Sequence, residues 1–202
     1  MKTELEKLAI LNQLTSGDYE AFLYDCDGTL ADNMGAHKLS YKNVASKYNI
    51  DLDTAIIDEL AGWPTVLVSQ EIGRRYGVEL PDTFSHEKSI EFFDNFILET
   101  KPIEFVAEHL KKNAGKVKIG VVSGGSRKTV EKTLTVLGLL PLVEVLVCSG
   151  ETERGKPFAD PFLAAAELLG VNPAKCMVFE DGDPGVQAAI AAGMEWIRVD
   201  QI

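Results

Sequence analysis

Residues 21–32 read "AFLYDCDGTLAD", a short apolar run that passes directly into two aspartates and a glycine. The run predicts a strand buried on both faces, because it shows no alternation of apolar and polar positions. Asp25 and Asp27 follow it two residues apart, so on an extended chain their side chains project to the same side. Gly28 then permits a tight turn that a side chain would resist. The sequence therefore places two carboxylates together at the end of a buried strand.

Four more short apolar runs alternate with helical patterns along the rest of the chain. They occupy residues 118–122, 143–147, 175–179 and 196–199. This alternation predicts an α/β protein, a Rossmann-like core with a parallel sheet flanked by helices. Ser126, Asp160 and Asp183 have the residue types and neighbours of helix starts. Polar, glycine-rich segments follow the first four runs, at the sheet edge where open parallel sheets bind ligands.

The segment between the first and second predicted strands is different in kind. Residues 35–100 contain four mostly helical stretches with little strand character. We expect them to form a small all-helical domain inserted after the first strand motif. Residues 1–34 and 101–202 would then form the α/β core domain.

Composition and charge limit the possible partners. The chain has 31 acidic and 20 basic residues, a net charge of -11, so its average field repels nucleic acid and anionic lipid. Three cysteines indicate a reducing compartment, and the N-terminus has no export signal pattern. The most apolar stretch, residues 134–148, is interrupted by glycine, proline and glutamate and is unsuited to span a bilayer. We expect a soluble cytoplasmic protein with no nucleic-acid or membrane partner, present as a monomer or weak dimer.

The acidic residues at the strand ends predict a metal site. Two carboxylates about 4 Å apart repel by roughly 4 kcal/mol at an effective dielectric near 20, and Glu180 and Asp181 follow the fourth strand. A cation is needed to compensate them. Oxygen ligands without clustered histidine or cysteine favour Mg²⁺ over zinc. The alternative is that each aspartate only caps a helix or shapes a turn.

Four motifs of this chain resemble, in order and spacing, those of the haloacid dehalogenase-like superfamily. They are "DCDGT", the serine of "VVSGG", the lysine of "GKPFADPF", and "VFEDGDPG". The resemblance runs from about Ala21 to the end of the chain. The helical insert is similar to the cap domain of the β-phosphoglucomutase-like branch. Within that branch, "AGWPT" at residues 61–65 resembles a segment of fructose-1-phosphate and 6-phosphogluconate phosphatase-like enzymes.

The resemblance implies a phosphatase mechanism. Asp25 would attack phosphorus and form an aspartyl-phosphate, and Asp27 would protonate the leaving alcohol and then activate water. Ser123 and the backbone of Gly124 would bind the phosphoryl oxygens. Lys156 would neutralise negative charge on the phosphoryl group and on Asp25. The implied enzyme is a phosphoric monoester hydrolase.

The resemblance also implies a magnesium cofactor and its ligands. Mg²⁺ would bind the side chains of Asp25 and Asp181 and the backbone carbonyl of Asp27, with Glu180 supporting the site. The implied substrate is a small phosphorylated sugar of the fructose-1-phosphate or 6-phosphogluconate type.

Three residues of the insert are candidates for contacting the substrate. His37 lies near the start of the insert, and Trp63 and Thr65 lie in the "AGWPT" segment. His37 is as consistent with an exposed helix start, and Trp63 with simple packing. His86 and His109 lie among polar residues and are expected on helix surfaces.

Three alternatives remain open from the sequence. A phosphonatase would need a lysine from the insert, for which Lys38, Lys42 and Lys47 are candidates, although surface positions suit them better. A β-phosphoglucomutase-type mutase would need an arginine near the "GWPT" segment. Thr65 and its neighbours offer none, but Arg74 and Arg75 follow in the same region. A catalytically idle phosphosugar-binding protein would have no use for Asp27.

Residues 148–157, "CSGETERGKP", contain two misleading spacings. Cys148 and Arg154 have the C-x5-R spacing of thiol-dependent phosphatases, but two glutamates lie between them and would repel phosphate. The G-x4-G-K spacing that ends at Lys156 resembles a nucleotide-binding P-loop, but Pro157 stands where that loop needs serine or threonine. We therefore expect neither a thiol nucleophile nor a nucleotide loop.

Overall fold

The structure, a computed structural model, describes residues 2–60 and 63–202. Its strands are β1 Ala21–Tyr24, β2 Ala31–Asp32, β3 Lys101–Pro102, β4 Lys118–Val122, β5 Val145–Val147, β6 Cys176–Glu180 and β7 Glu195–Arg198. Its α-helices are α1 Glu4–Leu14, α2 Met34–Lys47, α3 Ala55–Glu59, α4 Thr65–Tyr76, α5 Phe84–Asn95, α6 Glu104–Asn113, α7 Arg127–Val136, α8 Asp160–Leu169 and α9 Asp183–Ala191. Short 3-10 turns cover Ile97–Glu99, Leu140–Leu142, Pro173–Lys175 and Val199–Gln201.

Five strands form a parallel sheet in the order β5-β4-β1-β6-β7. The predicted parallel α/β fold is confirmed, and β1 and β4 have the predicted bounds. The strand β5 starts two residues later than predicted, because a 3-10 turn at Leu140–Leu142 precedes it. The central position of β1 places the segment that follows it in the middle of the carboxyl edge of the sheet.

Helices cover both faces of the sheet, which explains why its inner strands β1, β4 and β6 show no alternation in sequence. Phe22 and Tyr24 pack into an apolar cluster shared with α1, α6 and α7. Leu23 packs on the opposite face, in a cluster shared with α8 and α9. A strand of this kind has no solvent-facing side on which polar residues could appear.

The insert forms an apolar cluster of its own. Helices α2, α3, α4 and α5 contribute buried residues that include Tyr41, Ile57, Ile72 and Phe84. The short strands β2 and β3 pair antiparallel and hold the two ends of the insert side by side. For reference we call residues 35–100 the cap and the rest the core. That division is itself a prediction.

The helix starts agree with the sequence. The Oγ of Ser126 accepts a hydrogen bond from the N–H of Thr129 and caps α7, while α8 and α9 begin at Asp160 and Asp183. The helix α1 has no counterpart among the sequence-based predictions. None of the helices in the described ranges combines the length and the apolar character needed to cross a bilayer.

The expectation that His109 lies on a helix surface is wrong, because this side chain is fully buried. Its Nδ1 lies 2.8 Å from the hydroxyl of Tyr24, and its Nε2 lies 2.9 Å from Oγ1 of Thr15. The Thr15 hydroxyl donates to the carbonyl of Leu11, so Nε2 of His109 carries the proton and Nδ1 accepts from Tyr24. The polar neighbours of His109 in sequence lie on other faces of α6.

We expect His109 to make the stability of the protein depend on pH. Burial lowers the pKa of its imidazole to about 4, against about 6.5 in an unfolded chain. The folded state therefore binds this proton less tightly, so stability is complete above about pH 6.5 and is lost progressively towards pH 4. Between pH 7 and pH 5, the free energy of unfolding measured with urea should fall by about 2 kcal/mol more in the wild type than in a His109→Gln variant. Equal losses in both proteins would contradict this account.

Candidate active site

The carboxyl ends of three neighbouring strands carry predicted site residues. Asp25 follows β1 directly, Ser123 follows β4, and Glu180 is the last residue of β6. Because β1 lies between β4 and β6, these three residues meet at one edge of the sheet. Lys156 reaches the same edge from the loop after β5, 131 positions after Asp25 in the chain.

Lys156 is buried at the centre of this group. Its Nζ donates to Oδ1 of Asp25 at 2.6 Å, to Oε1 of Glu180 at 2.5 Å and to the carbonyl of Val122 at 2.9 Å. These three bonds use all three hydrogens of the ammonium group. Burial alone would lower the pKa of Lys156, but the carboxylates of Asp25 and Glu180 raise it above its usual range. The lysine therefore stays charged and fixes the position of the Asp25 carboxylate.

Asp25, Glu180 and Asp181 form an acidic cluster whose oxygens lie within 4.8 Å of one another. Burial, with the charge of Glu180, raises the pKa of Asp181 to about 7. Burial likewise raises the pKa of Asp25, and Lys156 only partly opposes this. Three carboxylates thus share one ammonium group.

The acidic cluster fits a hard divalent cation. Oε2 of Glu180 is buried and finds no hydrogen-bond partner among the described residues, and an unpaired buried oxygen of this kind is costly unless an ion or a water fills the gap. All donors in the cluster are oxygen atoms, which suits Mg²⁺. Asp27 lies outside the cluster, so its expected carbonyl ligand remains a prediction.

Two glycines make room for the acidic side chains. Gly28 has φ +89°, and a Cβ there would overlap the carboxylate of Asp181. A Cβ at Gly185 in α9 would overlap the carboxylate of Glu180. Gly28 is therefore needed for the carboxylate that it faces as well as for its turn.

Ser123 and Gly124 lie opposite the acidic cluster and line one pocket together with Asp25 and Asp27. Ser123 is buried, and its Oγ accepts a hydrogen bond from the N–H of Gly125 at 3.1 Å. That leaves its hydroxyl hydrogen for a second partner inside the pocket. The arrangement suits an anion placed between Ser123 and Asp25.

Asp27 points away from the cluster and towards the cap. Its Oδ1 accepts a hydrogen bond from Nδ2 of Asn33 at 2.6 Å and lies 3.3 Å from Nε2 of His37. Burial alone would raise the pKa of Asp27, but His37, the Asn33 hydrogen bond and the charge of Lys88 lower it to about 2. The two aspartates of the first motif thus have opposite environments.

His37 is buried in the cap and faces Asp27. Its Nδ1 lies 2.6 Å from Nζ of Lys88, and its ring stacks on Phe92 with centroids 3.9 Å apart. An ammonium group only donates, so Nδ1 accepts and the proton of the neutral ring is on Nε2. Burial and the charge of Lys88 lower the pKa of His37, and the contact of its Nδ1 with Lys88 fits the neutral ring. His37 therefore presents an N–H to the space beside Asp27.

Lys88 is a pocket residue that sequence reasoning missed. It is 4% exposed, and burial lowers its pKa to about 8. The lysines weighed from the sequence lie elsewhere: Lys38 pairs with Asp58, and Lys42 is a half-exposed side chain. The sequence spacing could have indicated its burial, because Lys88 lies four residues from both Phe84 and Phe92. This spacing places all three on the buried face of α5.

Trp63 and Thr65 also line this pocket, which we call the cap pocket. Trp63 packs partly against the apolar cluster of the cap, and Thr65 is the first residue of α4. Residues 61–62 of the "AGWPT" segment lie outside the described residues. All the candidate cap residues named from the sequence therefore border the same space as Asp25 and Asp27.

The two misleading spacings fail in the structure as expected. Cys148 is buried, and burial raises the pKa of its thiol to about 12. Arg154 turns away to pair with Asp160 at 2.9 Å. Lys156 precedes a loop, and α8 starts only at Asp160. Neither a reactive thiolate nor a P-loop helix is present at this position.

Comparisons with known proteins identify the family of the chain. The family model described as haloacid dehalogenase-like hydrolase matches residues 22–199. The chain belongs to this family. Its expected class, a haloacid dehalogenase-like phosphatase, is confirmed at the level of the family.

Individual members of the haloacid dehalogenase-like family cover nearly the whole chain. The chain is 31% identical to fructose-1-phosphate phosphatase YqaB of Escherichia coli, over 90% of this chain and 96% of the relative. It is 27% identical to beta-phosphoglucomutase of Bacillus subtilis over 90% of this chain and 84% of that one. The crystal structure of beta-phosphoglucomutase from Clostridium difficile matches with a TM-score of 0.78 at 25% identity, covering 88% of this chain and 83% of that chain. Phosphatases and mutases thus both occur among its relatives.

Proposed function

We propose that the protein is a Mg²⁺-dependent phosphomonoester hydrolase that acts on a small sugar phosphate through an aspartyl-phosphate. The observation that carries the proposal is the fixed carboxylate of Asp25, held by Lys156 beside an acidic cluster and facing the cap pocket. Similarity to a fructose-1-phosphate phosphatase supports the sugar phosphate. Fructose 1-phosphate and 6-phosphogluconate are the first substrates to test.

Asp25 is the nucleophile in this proposal. Its Oδ1 is bound to Lys156, so Oδ2 is the oxygen that attacks phosphorus in line with the leaving oxygen. The bond from phosphorus to the leaving oxygen breaks as the bond to Asp25 forms. Ser123 and the backbone N–H groups of the turn after it bind the phosphoryl oxygens. Lys156 acts through the carboxylates, because all three of its hydrogens are already donated.

Asp27 is the general acid and base in this proposal. It lies on the cap side of the pocket, where the leaving alcohol would depart. An aspartate with a pKa of about 2 is a weak acid donor, so substrate must displace the contacts of Asn33 or His37 before Asp27 takes up a proton. Asp27 then gives that proton to the leaving oxygen, and later removes one from the water that hydrolyses the aspartyl-phosphate.

Asp25, Asp181 and Glu180 would hold Mg²⁺, together with the backbone carbonyl of Asp27. When bound, Mg²⁺ would supply positive charge to the transferring phosphoryl group. The unpaired Oε2 of Glu180 and the excess of carboxylates over ammonium groups support this assignment.

The cap pocket suits a polyhydroxylated leaving group. Polar side chains face it from the cap, among them His37, Lys88 and Thr65. Nε2 of His37 lies 3.3 Å from Oδ1 of Asp27 without a regular hydrogen bond among the described residues, so its N–H is available to a substrate hydroxyl. We therefore propose that residues 35–100 act as a cap domain that selects the sugar.

One observation favours a phosphatase over a mutase. A mutase of the β-phosphoglucomutase type is expected to hold the second phosphate of its sugar with an arginine of the cap, and Lys88, the cation of this pocket, is bound to His37. Arg74 and Arg75 are bound to Glu71 and Glu59 on the outer side of the cap. No arginine occurs among the described residues that line the cap pocket.

The buried, free cysteines support a reducing location, and we propose the cytoplasm. An assembly no larger than a weak dimer remains the prediction from the sequence.

Phosphate release from a panel of sugar phosphates tests the proposed function. We expect the purified protein with Mg²⁺ to release phosphate from at least one hexose or pentose phosphate, and excess EDTA to abolish the release. A parallel assay follows conversion of β-glucose 1-phosphate to glucose 6-phosphate. Isomerisation faster than phosphate release would assign the protein to the mutases. No turnover on any sugar phosphate or on an aryl phosphate would contradict the enzyme proposal and favour an idle binding protein.

A further inference from the structure

A second opening adjoins the proposed phosphoryl site. A cleft of about 630 Å³ lies between the cap segment 63–67 and the core segment 148–158. Its lining includes Ser123, Gly124 and Lys156, which belong to the phosphoryl site described above. The volume is typical of pockets for small molecules. We call this space the side cleft, and it shares Trp63, Ser123 and Gly124 with the lining of the cap pocket.

Apolar side chains line much of the side cleft, beside the polar residues Thr152, Glu153 and Arg154. Val66 and Leu67 contribute from the cap, and Phe158 contributes from the core. These three side chains remain 52%, 41% and 46% exposed. Clustered exposed apolar side chains next to a polar site are characteristic of ligand-binding grooves. The side cleft therefore offers contact area that a hydroxyl-rich sugar does not need.

Phe158 is held in place at the surface. The guanidinium of Arg154 lies 4.5 Å from the centroid of its ring, and Arg154 is itself bound to Asp160. An aromatic ring fixed in this way loses little side-chain freedom when a ligand packs against it. The ring is thus prepared for contact with an apolar group.

The cap and the core approach each other closely along the side cleft where Gly155 faces Pro64. A Cβ added at Gly155 would come within 2.6 Å of Cγ of Pro64, and both residues line the cleft. Gly155 and Pro64 therefore mark one boundary of the side cleft. The size of the space between cap and core suits the body of a small molecule.

We propose that the side cleft binds the apolar part of phosphomonoesters with aromatic or aliphatic alcohols, giving the site a second substrate class. The proposal rests on the proposed function, because the phosphate of such an ester would occupy the same site beside Asp25. The occupant follows from the combination of apolar side chains with Ser123 and Gly124, which also line the cap pocket next to Asp25. That combination fits a compact molecule with one anionic end.

The esters of this second substrate class would be hydrolysed by the same two-step reaction as the sugar phosphates. Asp25 takes the phosphoryl group as the ester oxygen departs with a proton from Asp27, and water then releases inorganic phosphate. One ester and one water give one alcohol or phenol and one phosphate. A phenol leaves more readily than an alkyl alcohol, so the aryl esters of this class rely less on Asp27 than the alkyl esters do.

Steady-state kinetics with 2-naphthyl phosphate and fructose 1-phosphate test the proposal. We expect Phe158→Ala and Leu67→Ala each to lower the ratio of kcat/KM for the naphthyl ester to that for the sugar ester by about 3- to 10-fold. The matched control is Leu163→Ala. Leu163 is also 41% exposed and does not line the cleft, so its ratio should stay at the wild-type value. An unchanged ratio in both cleft variants would overturn the proposal.

A binding measurement separates this proposal from the proposed function. Calorimetry with 2-naphthylmethylphosphonate, which cannot be hydrolysed, should give a Kd that rises about 3- to 10-fold in Phe158→Ala. If the protein hydrolyses sugar phosphates but the Kd does not change, the side cleft is not the binding site and the proposed function stands. If the Kd rises as expected but no ester is hydrolysed, the cleft proposal stands as a binding site and the proposed function fails.

Discussion

An Asp25→Asn variant is expected to lose phosphate release by about 10⁴-fold or more. The amide cannot attack phosphorus, and loss of a covalent nucleophile typically removes nearly all of the catalysed rate. Phosphate release from the best sugar phosphate of the panel measures the effect. Acid quenching of the wild type during turnover should also trap labelled phosphate on the protein, and the variant should trap none.

The stability of the same variant is a second readout. Asp25 is one of three buried carboxylates that share one ammonium group, so removal of its charge relieves repulsion within the acidic cluster. The Tm of Asp25→Asn should therefore equal or exceed that of the wild type. The control is Asp32→Asn, because Asp32 is an exposed aspartate in the same segment and should keep full activity. A variant that is inactive because it unfolds would contradict the assigned role.

Lys156→Ala is expected to lose turnover by roughly 10³-fold and to lose stability as well. Removal of a preorganised charged donor from an active site typically costs 10²- to 10³-fold. Here the variant also leaves Asp25 and Glu180 without their shared cation in a buried position. Removing one member of a buried ion pair costs roughly 3 to 5 kcal/mol of stability. Phosphate release and urea unfolding at pH 7 measure the two effects.

Cys148→Ala is the matched control for Lys156. Cys148 belongs to the same loop and is equally buried, but the raised pKa of its thiol leaves it protonated at neutral pH. We expect this variant to keep most of its activity. The reverse result, an active Lys156→Ala and an inactive Cys148→Ala, would restore the thiol-dependent mechanism that the sequence spacing suggested.

Much of the fold was predictable because the strands of a parallel sheet are short, apolar and followed by polar turns. The run at residues 21–24 and the aspartates after it predicted the location of the candidate site. The residues that meet there are far apart in sequence, but the parallel sheet rule brings strand ends to one edge. Asp25, Ser123, Lys156 and Glu180 could therefore be grouped from their positions after strands.

The residues that were missed depend on which face of a helix is buried. Lys88 and His109 both lie among polar neighbours in sequence, yet both point into the interior. Placement of a helix face requires its packing partner, and those partners come from distant segments such as α2 for Lys88 and β1 for His109. A single sequence does not show which distant segments pack against each helix face. Buried polar side chains on helices, such as Lys88 in the cap pocket, were therefore harder to find than those that follow strands.

The antiparallel pairing of β2 with β3 has a consequence for how this protein can be rebuilt. The chain leaves the core at Asp32 and returns at Lys101, and these two residues are direct partners in the pairing. The segment between them therefore leaves and rejoins the core at adjacent points. Replacement of this inserted segment by another of different length would leave the order and spacing of the five-stranded sheet unchanged.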